Sequence, residues 1–177
     1  MQLNEGGKYR LINVEGGTLL DLSKTDDISI VGWENNEGDN QKWILGKNAT
    51  GQWTFRNVER PTIFLGITTF PGVANSATLQ DGTRLAGVPE PIGWDVWPDD
   101  DDPVYFRISR PGGFMPDLNV DLANGKPKNG TPIVLWTKKP NTGKKVKKNQ
   151  LWIFQSGKCF TPTYGGLFSR LTMESVI

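Results

Sequence analysis

The sequence predicts an all-β domain of three repeated units, each of about four strands, and three observations carry that reading. Gly and Pro supply 21 and 12 of the 177 residues, a density of breakers that suits short strands and turns and leaves no room for long helices. Alternating runs that read as strands open each third of the chain: "KYRLINV" from Lys8, "QWTFRNV" from Gln52 and "VYFRISR" from Val104. A tryptophan closes each third, at Trp43, Trp97 and Trp152, with separations of 54 and 55 residues. Self-similarity at such a period marks a repeat architecture.

Taken in order, each unit has the same parts. The opening strand is followed by a Gly- or Pro-marked turn and a second apolar run, "TLLDLS" from Thr18, "IFLGIT" from Ile63 and "LNVDLA" from Leu118. The closing tryptophan follows, preceded by "NQ" at Asn40–Gln41 in the first unit and Asn149–Gln150 in the third, with "WDVW" (94–97) at that place in the second. One unit cannot bury its apolar face alone, whereas three around a pseudo-threefold axis share a core and close a small barrel, removing most exposed edges. The twelve-stranded form of that solution is the β-trefoil, with Leu22, Leu122 and the closing tryptophans pointing inward. It spans residues 6–156; residues 157–177 fall outside the period and read as a C-terminal extension, with a weak amphipathic signal over Leu167–Met173.

Composition removes several functions. Lys and Arg total 20 against 19 Asp and Glu, so no global charge attracts nucleic acid or acidic lipid. There is no histidine, which excludes Ser-His-Asp and Cys-His nucleophiles and His-based metal centres. The single cysteine, Cys159, can form no internal disulfide. No cofactor is expected. The N-terminus carries no apolar leader and no run is long enough to span a bilayer, so the expected location is the cytoplasm, with signal-independent secretion left open and no membrane insertion. Two Asn-x-Thr sequons, at Asn48 and Asn129, are then expected to stay unmodified.

The middle unit has lost a particular set of polar residues. Gly66 stands where the outer units have Asp21 and Asp121, and the Asn-Gln pair is missing. The outer units keep Asp21, Trp33, Asn40 and Gln41 in one case and Asp121, Trp136, Asn149 and Gln150 in the other, in the same order. A carboxylate, an aromatic ring and an amide suit a sugar. Its C–H face packs on an indole, and its hydroxyls need acceptors and amide partners.

The pattern "GTLLDLS", "IVGW" and "DNQKW" within a threefold repeat resembles the ricin B-like lectins, the QxW β-trefoil family, and among them the cytosolic fungal members. The resemblance covers residues 6–156. It implies that the Asp, the stacking aromatic and the Asn of each intact unit contact a terminal galactose or N-acetylgalactosamine. The Gln of each QxW would brace the turn, and its Trp would belong to the core. It also implies binding without catalysis, glycoprotein or glycolipid glycans as partners, a homodimer, and a defensive role. The sequence departs from the family at Val31 and Val134, two residues before each aromatic, where a polar residue is common. An enlarged basic loop, Lys138–Lys148, also precedes Asn149.

Plainer readings stand beside these. Trp33 and Trp136 would serve as core residues, and Asp21 and Asp121 as turn formers. The basic loop, lacking interleaved aromatics, reads as a solvated turn and not a nucleic-acid site. The acidic run Asp99–Asp102 reads as a solvated loop, without the Gly-interrupted spacing of a calcium site. The rival function is protease inhibition by a β-trefoil without a sugar site; glycoside hydrolysis has no recognisable motif behind it. The first site ranks above the third, and the second is dead.

Overall fold

The computed structural model describes residues 2–67, 79–110, 117–138 and 148–157. Alternation in Lys8–Asn13 buries Tyr9, Leu11 and Asn13 and turns Lys8 outward, forming β1. The remaining strands are β2 (Leu19–Leu22), β3 (Ile30–Trp33), β4 (Trp43–Lys47), β5 (Trp53–Asn57), β6 (Phe64–Ile67), β7 (Thr83–Val88), β8 (Asp95–Pro98), β9 (Phe106–Ser109), β10 (Leu118–Leu122), β11 (Thr131–Thr137) and β12 (Trp152–Ser156). Only short 3-10 turns interrupt them among the described residues.

Six strands close a barrel. β1 pairs with β4 and β12, β4 with β5, and β8 with β9, which pairs in turn with β12. The ring is completed by the Trp53–Trp94 bridge, where each backbone N–H donates to the other carbonyl at 2.9 and 2.8 Å. The other six strands form three hairpins, β2–β3, β6–β7 and β10–β11, which cap one end. There β11 pairs with both β3 and β7, and Ser29 bridges to Ala86. Among the described residues, closure leaves no long unpaired edge. The chain is a β-trefoil.

Equivalent residues from the three units meet in the core. Leu11, Phe55 and Ile108 are fully buried, as are Leu20, Leu65 and Val120 from the next strand of each unit. Phe154 packs against Tyr9, Phe55 and Phe106 with ring centroids 6.0, 6.2 and 5.2 Å apart, joining all three units through one side chain. Leu22 and Leu122 point inward as expected.

Two expectations need correction. The tryptophan that closes the second unit is Trp94, three residues before Trp97. Trp43 Nε1 donates to the Leu20 carbonyl at 2.9 Å, Trp152 Nε1 to Val120 at 3.0 Å and Trp94 Nε1 to Leu65 at 3.1 Å, and all three rings are fully buried. Trp97 is half-buried on β8, so the segment matching Asn40–Trp43 is "PIGW", 91–94, and not "WDVW". The acidic run is not wholly solvated either. Asp99 is buried against equally buried Arg107, Nε to Oδ1 2.5 Å, while Asp100–Asp102 stay exposed. The described residues contain no group of three or more metal-binding side chains. The greater part of the basic loop (139–147), Cys159 and the Leu167–Met173 segment lie outside the described residues.

Candidate functional site

Each of the two candidate sites is built on a hairpin face. Pairing sets Asp21 opposite Val31 and Leu19 opposite Trp33, so Asp21 and Trp33 project from the same face of β2–β3. In the third unit Asp121 faces Val134 and Asn119 faces Trp136, giving Asp121 and Trp136 the same relation. Val31 and Val134 therefore lie directly across from the carboxylates, as apolar wall. Trp33 and Trp136 are each 38% exposed and are not core residues.

The "DNQ" and "KNQ" segments fold as 3-10 turns, Asp39–Gln41 and Lys148–Gln150, which press their amides onto the carboxylates. In the first unit both amides converge on one oxygen. Asn40 Nδ2 donates to Asp21 Oδ2 at 2.9 Å and to the Leu22 carbonyl at 3.0 Å; Gln41 Nε2 donates to the same Oδ2 at 2.8 Å and to the Glu34 carbonyl at 2.7 Å. Gln41 Oε1 accepts from the Asn36 N–H at 3.1 Å, so the Gln side chain is fully engaged. Asp21 Oδ1 accepts no hydrogen bond from the described residues. In the third unit the amides divide: Asn149 Nδ2 donates to Asp121 Oδ1 at 2.7 Å and Gln150 Nε2 to Oδ2 at 3.1 Å. Gln150 also donates to the Thr137 carbonyl at 3.0 Å.

Asp21 is buried, and that burial raises its carboxyl above the ordinary aspartate value. The hydrogen bonds from Gln41 and Asn40 and the charge of Lys24 pull the other way without cancelling it; Glu59 adds to the rise. Both amide hydrogens of Asn40 are used within the protein. Asn40 and Gln41 thus hold the Asp21 carboxylate, and Asn40 Oδ1 is buried without a hydrogen-bond partner among the described residues.

The second unit shows what replaces a site. Val88 stands where the other units have Trp33 and Trp136, and Gly66 stands at the aspartate place. A Cβ on Gly66 would lie 2.2 Å from Val88 Cγ2, so the valine fills the space an aspartate side chain needs. Pro91 and Ile92 occupy the Asn and Gln positions. The carboxylate and both amides are gone, and Val88 occupies the space in front of Gly66.

Two further residues were not anticipated from the sequence. Asn57, fully buried at the end of β5, donates through Nδ2 to the Asn40 carbonyl at 3.0 Å and accepts the Glu59 and Arg60 N–H groups through Oδ1. Asn13 does the same at the other turn, donating to the Asn149 carbonyl at 2.9 Å and accepting from Glu15 and Gly16. Each anchors the turn that carries a site amide. The signal was a second repeated phrase, "NV" at 13–14 and 57–58. The equivalent residue in the third unit is Arg110, whose Nη1 donates to the Gly93 carbonyl at 3.2 Å beside the site that is lost.

Comparisons with known proteins bear on the fold and the family. The sequence model described as "Ricin-type beta-trefoil lectin domain-like" matches residues 2–85. A ricin B-like lectin from Macrolepiota procera, solved in complex with lactose, is 33% identical with a TM-score of 0.72; the match covers 88% of this chain and 99% of that one. The Rhizoctonia solani agglutinin is 27% identical with a TM-score of 0.69, over 88% and 98% of the two chains. A designed threefold-symmetric protein, ThreeFoil, shares the fold at 18% identity and a TM-score of 0.66, over 84% and 98%. Comparison with curated protein sequences finds no match.

Proposed function

Because the chain belongs to the ricin B-like lectin family, we propose that it binds glycans bearing terminal galactose or N-acetylgalactosamine, reversibly, without a metal and without a catalytic step. The observation that carries the proposal is the pairing, twice in one chain, of a half-exposed indole with a buried carboxylate held by two amides on the same hairpin face. An axial 4-hydroxyl leaves galactose with a continuous C–H face, which packs on the indole of Trp33. The sugar's hydroxyls then reach Asp21, whose Oδ1 is the open acceptor. The lactose complex of the Macrolepiota procera lectin supports this choice of sugar.

The first site is the stronger of the two. Its amides leave one carboxylate oxygen without a partner among the described residues, whereas at the third both oxygens of Asp121 already accept. A shallow site of this kind binds weakly, and two on one molecule raise avidity on a multivalent surface by roughly 10² to 10⁴ where spacing permits. Glycoproteins and glycolipids exposed on cells are the expected partners, and a defensive role accords with such binding.

The test is calorimetric titration with lactose and N-acetylgalactosamine, together with binding to immobilised glycans, for wild type, Trp33→Ala and Trp136→Ala. Loss of most affinity in Trp33→Ala, a smaller loss in Trp136→Ala and no effect of EDTA are expected. Folded wild-type protein that binds no galactoside on the panel would end the proposal.

A further inference from the structure

The rim of each site, beyond its tryptophan, is supplied by a different unit. After Trp33 comes Glu34, whose N–H donates to Asn129 Oδ1 of the third unit at 2.8 Å; Asn129 Nδ2 returns a bond to Glu34 Oε1 at 3.0 Å. The adjacent Gly130 donates its N–H to the Gly32 carbonyl at 3.0 Å, and Trp33 Cζ3 lies 3.9 Å from where a Cβ on Gly130 would sit. After Trp136 comes Thr137, whose N–H and Oγ1 both donate to Asp81 Oδ1 of the second unit, at 2.5 and 2.8 Å. Gly82 bonds the Leu135 carbonyl at 2.9 Å and faces Trp136 Cζ3 at 4.0 Å in the same way.

The third junction supplies the control. There the residue after Val88 is Pro89, which has no N–H to offer. The corresponding side chain, Asp26 of the first unit, stays exposed and bonds within its own turn, accepting from the Ile28 and Ser29 N–H groups at 3.0 and 2.9 Å and from Ser29 Oγ at 2.6 Å. The hairpins still meet at this junction, through the Ser29–Ala86 bridge and the bond from the Gly87 N–H to the Ile28 carbonyl. The clasp on the residue after the tryptophan is thus found at the two junctions that carry a tryptophan, while this one is tied by backbone bonds and by Arg60 Nε of the second unit on Asp27 Oδ2 of the first at 2.9 Å.

From this we propose that Asn129 and Asp81 are positioning residues of sugar sites in the units next to their own. This rests on the sugar reading above. The residue after each tryptophan is held on both sides: Glu34 by Asn129 at its N–H and by Gln41 at its carbonyl, and Thr137 by Asp81 and Gln150 likewise. Gln41 and Gln150 also donate to Asp21 and Asp121. A hydrogen-bonded path therefore runs from the neighbouring turn to the carboxylate and sets the gap between indole and carboxylate that the sugar ring must fit. Misplacement of one wall weakens binding without removing any group that touches the sugar.

The experiment uses the full-length chain and titrates lactose by calorimetry, with the indole N–H resonances followed by NMR. Site one is isolated in a Trp136→Ala parent and site three in a Trp33→Ala parent. Asn129→Ala in the first parent and Asp81→Ala in the second should each weaken lactose binding about threefold to tenfold, the worth of one net hydrogen bond. The Trp33 or Trp136 indole signal should shift in the unliganded variants. Asp81→Asn, which keeps the acceptor, should return affinity to within about twofold of its parent. If both parents bind lactose and the alanine variants bind it equally well, or if Asp81→Asn is as weak as Asp81→Ala, the inference is wrong. If neither parent binds lactose although both fold, the sugar reading fails and this inference goes with it.

Discussion

Replacing Asp21 by Asn separates what the site does for binding from what it does to the fold. Burial raises this carboxyl above its usual range despite hydrogen bonds from Gln41 and Asn40 and the charge of Lys24, so the folded protein favours the protonated form more than the unfolded chain does. The folded state takes up its proton first as pH falls. Stability linked to Asp21 is therefore gained as pH drops through the raised value, complete below the ordinary one, and lost again as pH rises. At neutral pH the ionised carboxylate is a liability to folding. In Asp21→Asn the amide oxygen can accept from both Asn40 and Gln41, as Oδ2 does now at 2.9 and 2.8 Å. Exchanging charge-assisted for neutral bonds costs about 1–3 kcal/mol, and relief of the carboxylate's desolvation offsets it; the direction of the pKa shift says that relief wins. The melting temperature at pH 7 should thus stay within about 3 °C of the parent, the equivalent of roughly 1 kcal/mol. Binding should suffer far more, because an NH₂ group now faces the sugar hydroxyls in place of the open oxygen. Loss of about 2–3 kcal/mol weakens lactose roughly 30- to 150-fold. Scanning fluorimetry and calorimetry in the Trp136→Ala background measure both quantities. The parent's affinity should fall as pH is lowered through the raised pKa, while the variant's residual affinity stays flat. A melting temperature lower by more than about 6 °C, or affinity within threefold of the parent, would refute the reasoning.

Further outcomes follow from the packing. Gly66→Ala drives a Cβ into Val88 Cγ2 and should cost about 1–3 kcal/mol in urea unfolding; adding Val88→Ala should return most of it, as coupled neighbours do. Trp94→Ala removes a fully buried ring and its bond to Leu65, so it should cost about 3–5 kcal/mol, whereas Trp97→Ala should cost well under half of that in the same titration. Asn57→Ala deletes three hydrogen bonds around the Asn40 turn. It should lower stability by roughly 2–3 kcal/mol and weaken lactose at the first site, both visible in a single calorimetric and thermal series.

Strand placement was legible because alternation and turn residues are local signals, and Gly66 stood out because its partners at 21 and 121 lay at matching distances from their strands. The tryptophan of the second unit was misplaced for the opposite reason. Both Trp94 and Trp97 sit in a stretch whose neighbours have lost the Asn-Gln signature, and it is full burial and the bond to the Leu65 carbonyl that single out Trp94. Asp99 read as solvated because its run of four acids hides that one of them meets Arg107, eight residues away on the next strand. The sequence did place Asp21, Asn40 and Gln41 together, but it could not say that both hydrogens of Asn40 point inward. The rim escaped notice altogether. Asn129 and Glu34 lie 95 residues apart, and no spacing within one repeat registers a contact made between repeats.

The turn that completes the first site has a practical consequence for anyone making this protein. Asn129, Gly130 and Thr131 spell an acceptor for N-linked glycosylation, and the atom that would be modified is the Nδ2 that donates to Glu34. Routed through a eukaryotic secretory pathway, the chain would carry a bulky oligosaccharide beside Trp33. A member of a lectin family would then arrive with its first candidate site shadowed by a glycan of its own. Material from a bacterial host leaves that nitrogen bare, and a difference in lactose affinity between the two preparations, removed by enzymatic deglycosylation, should be read as occlusion before it is read as misfolding.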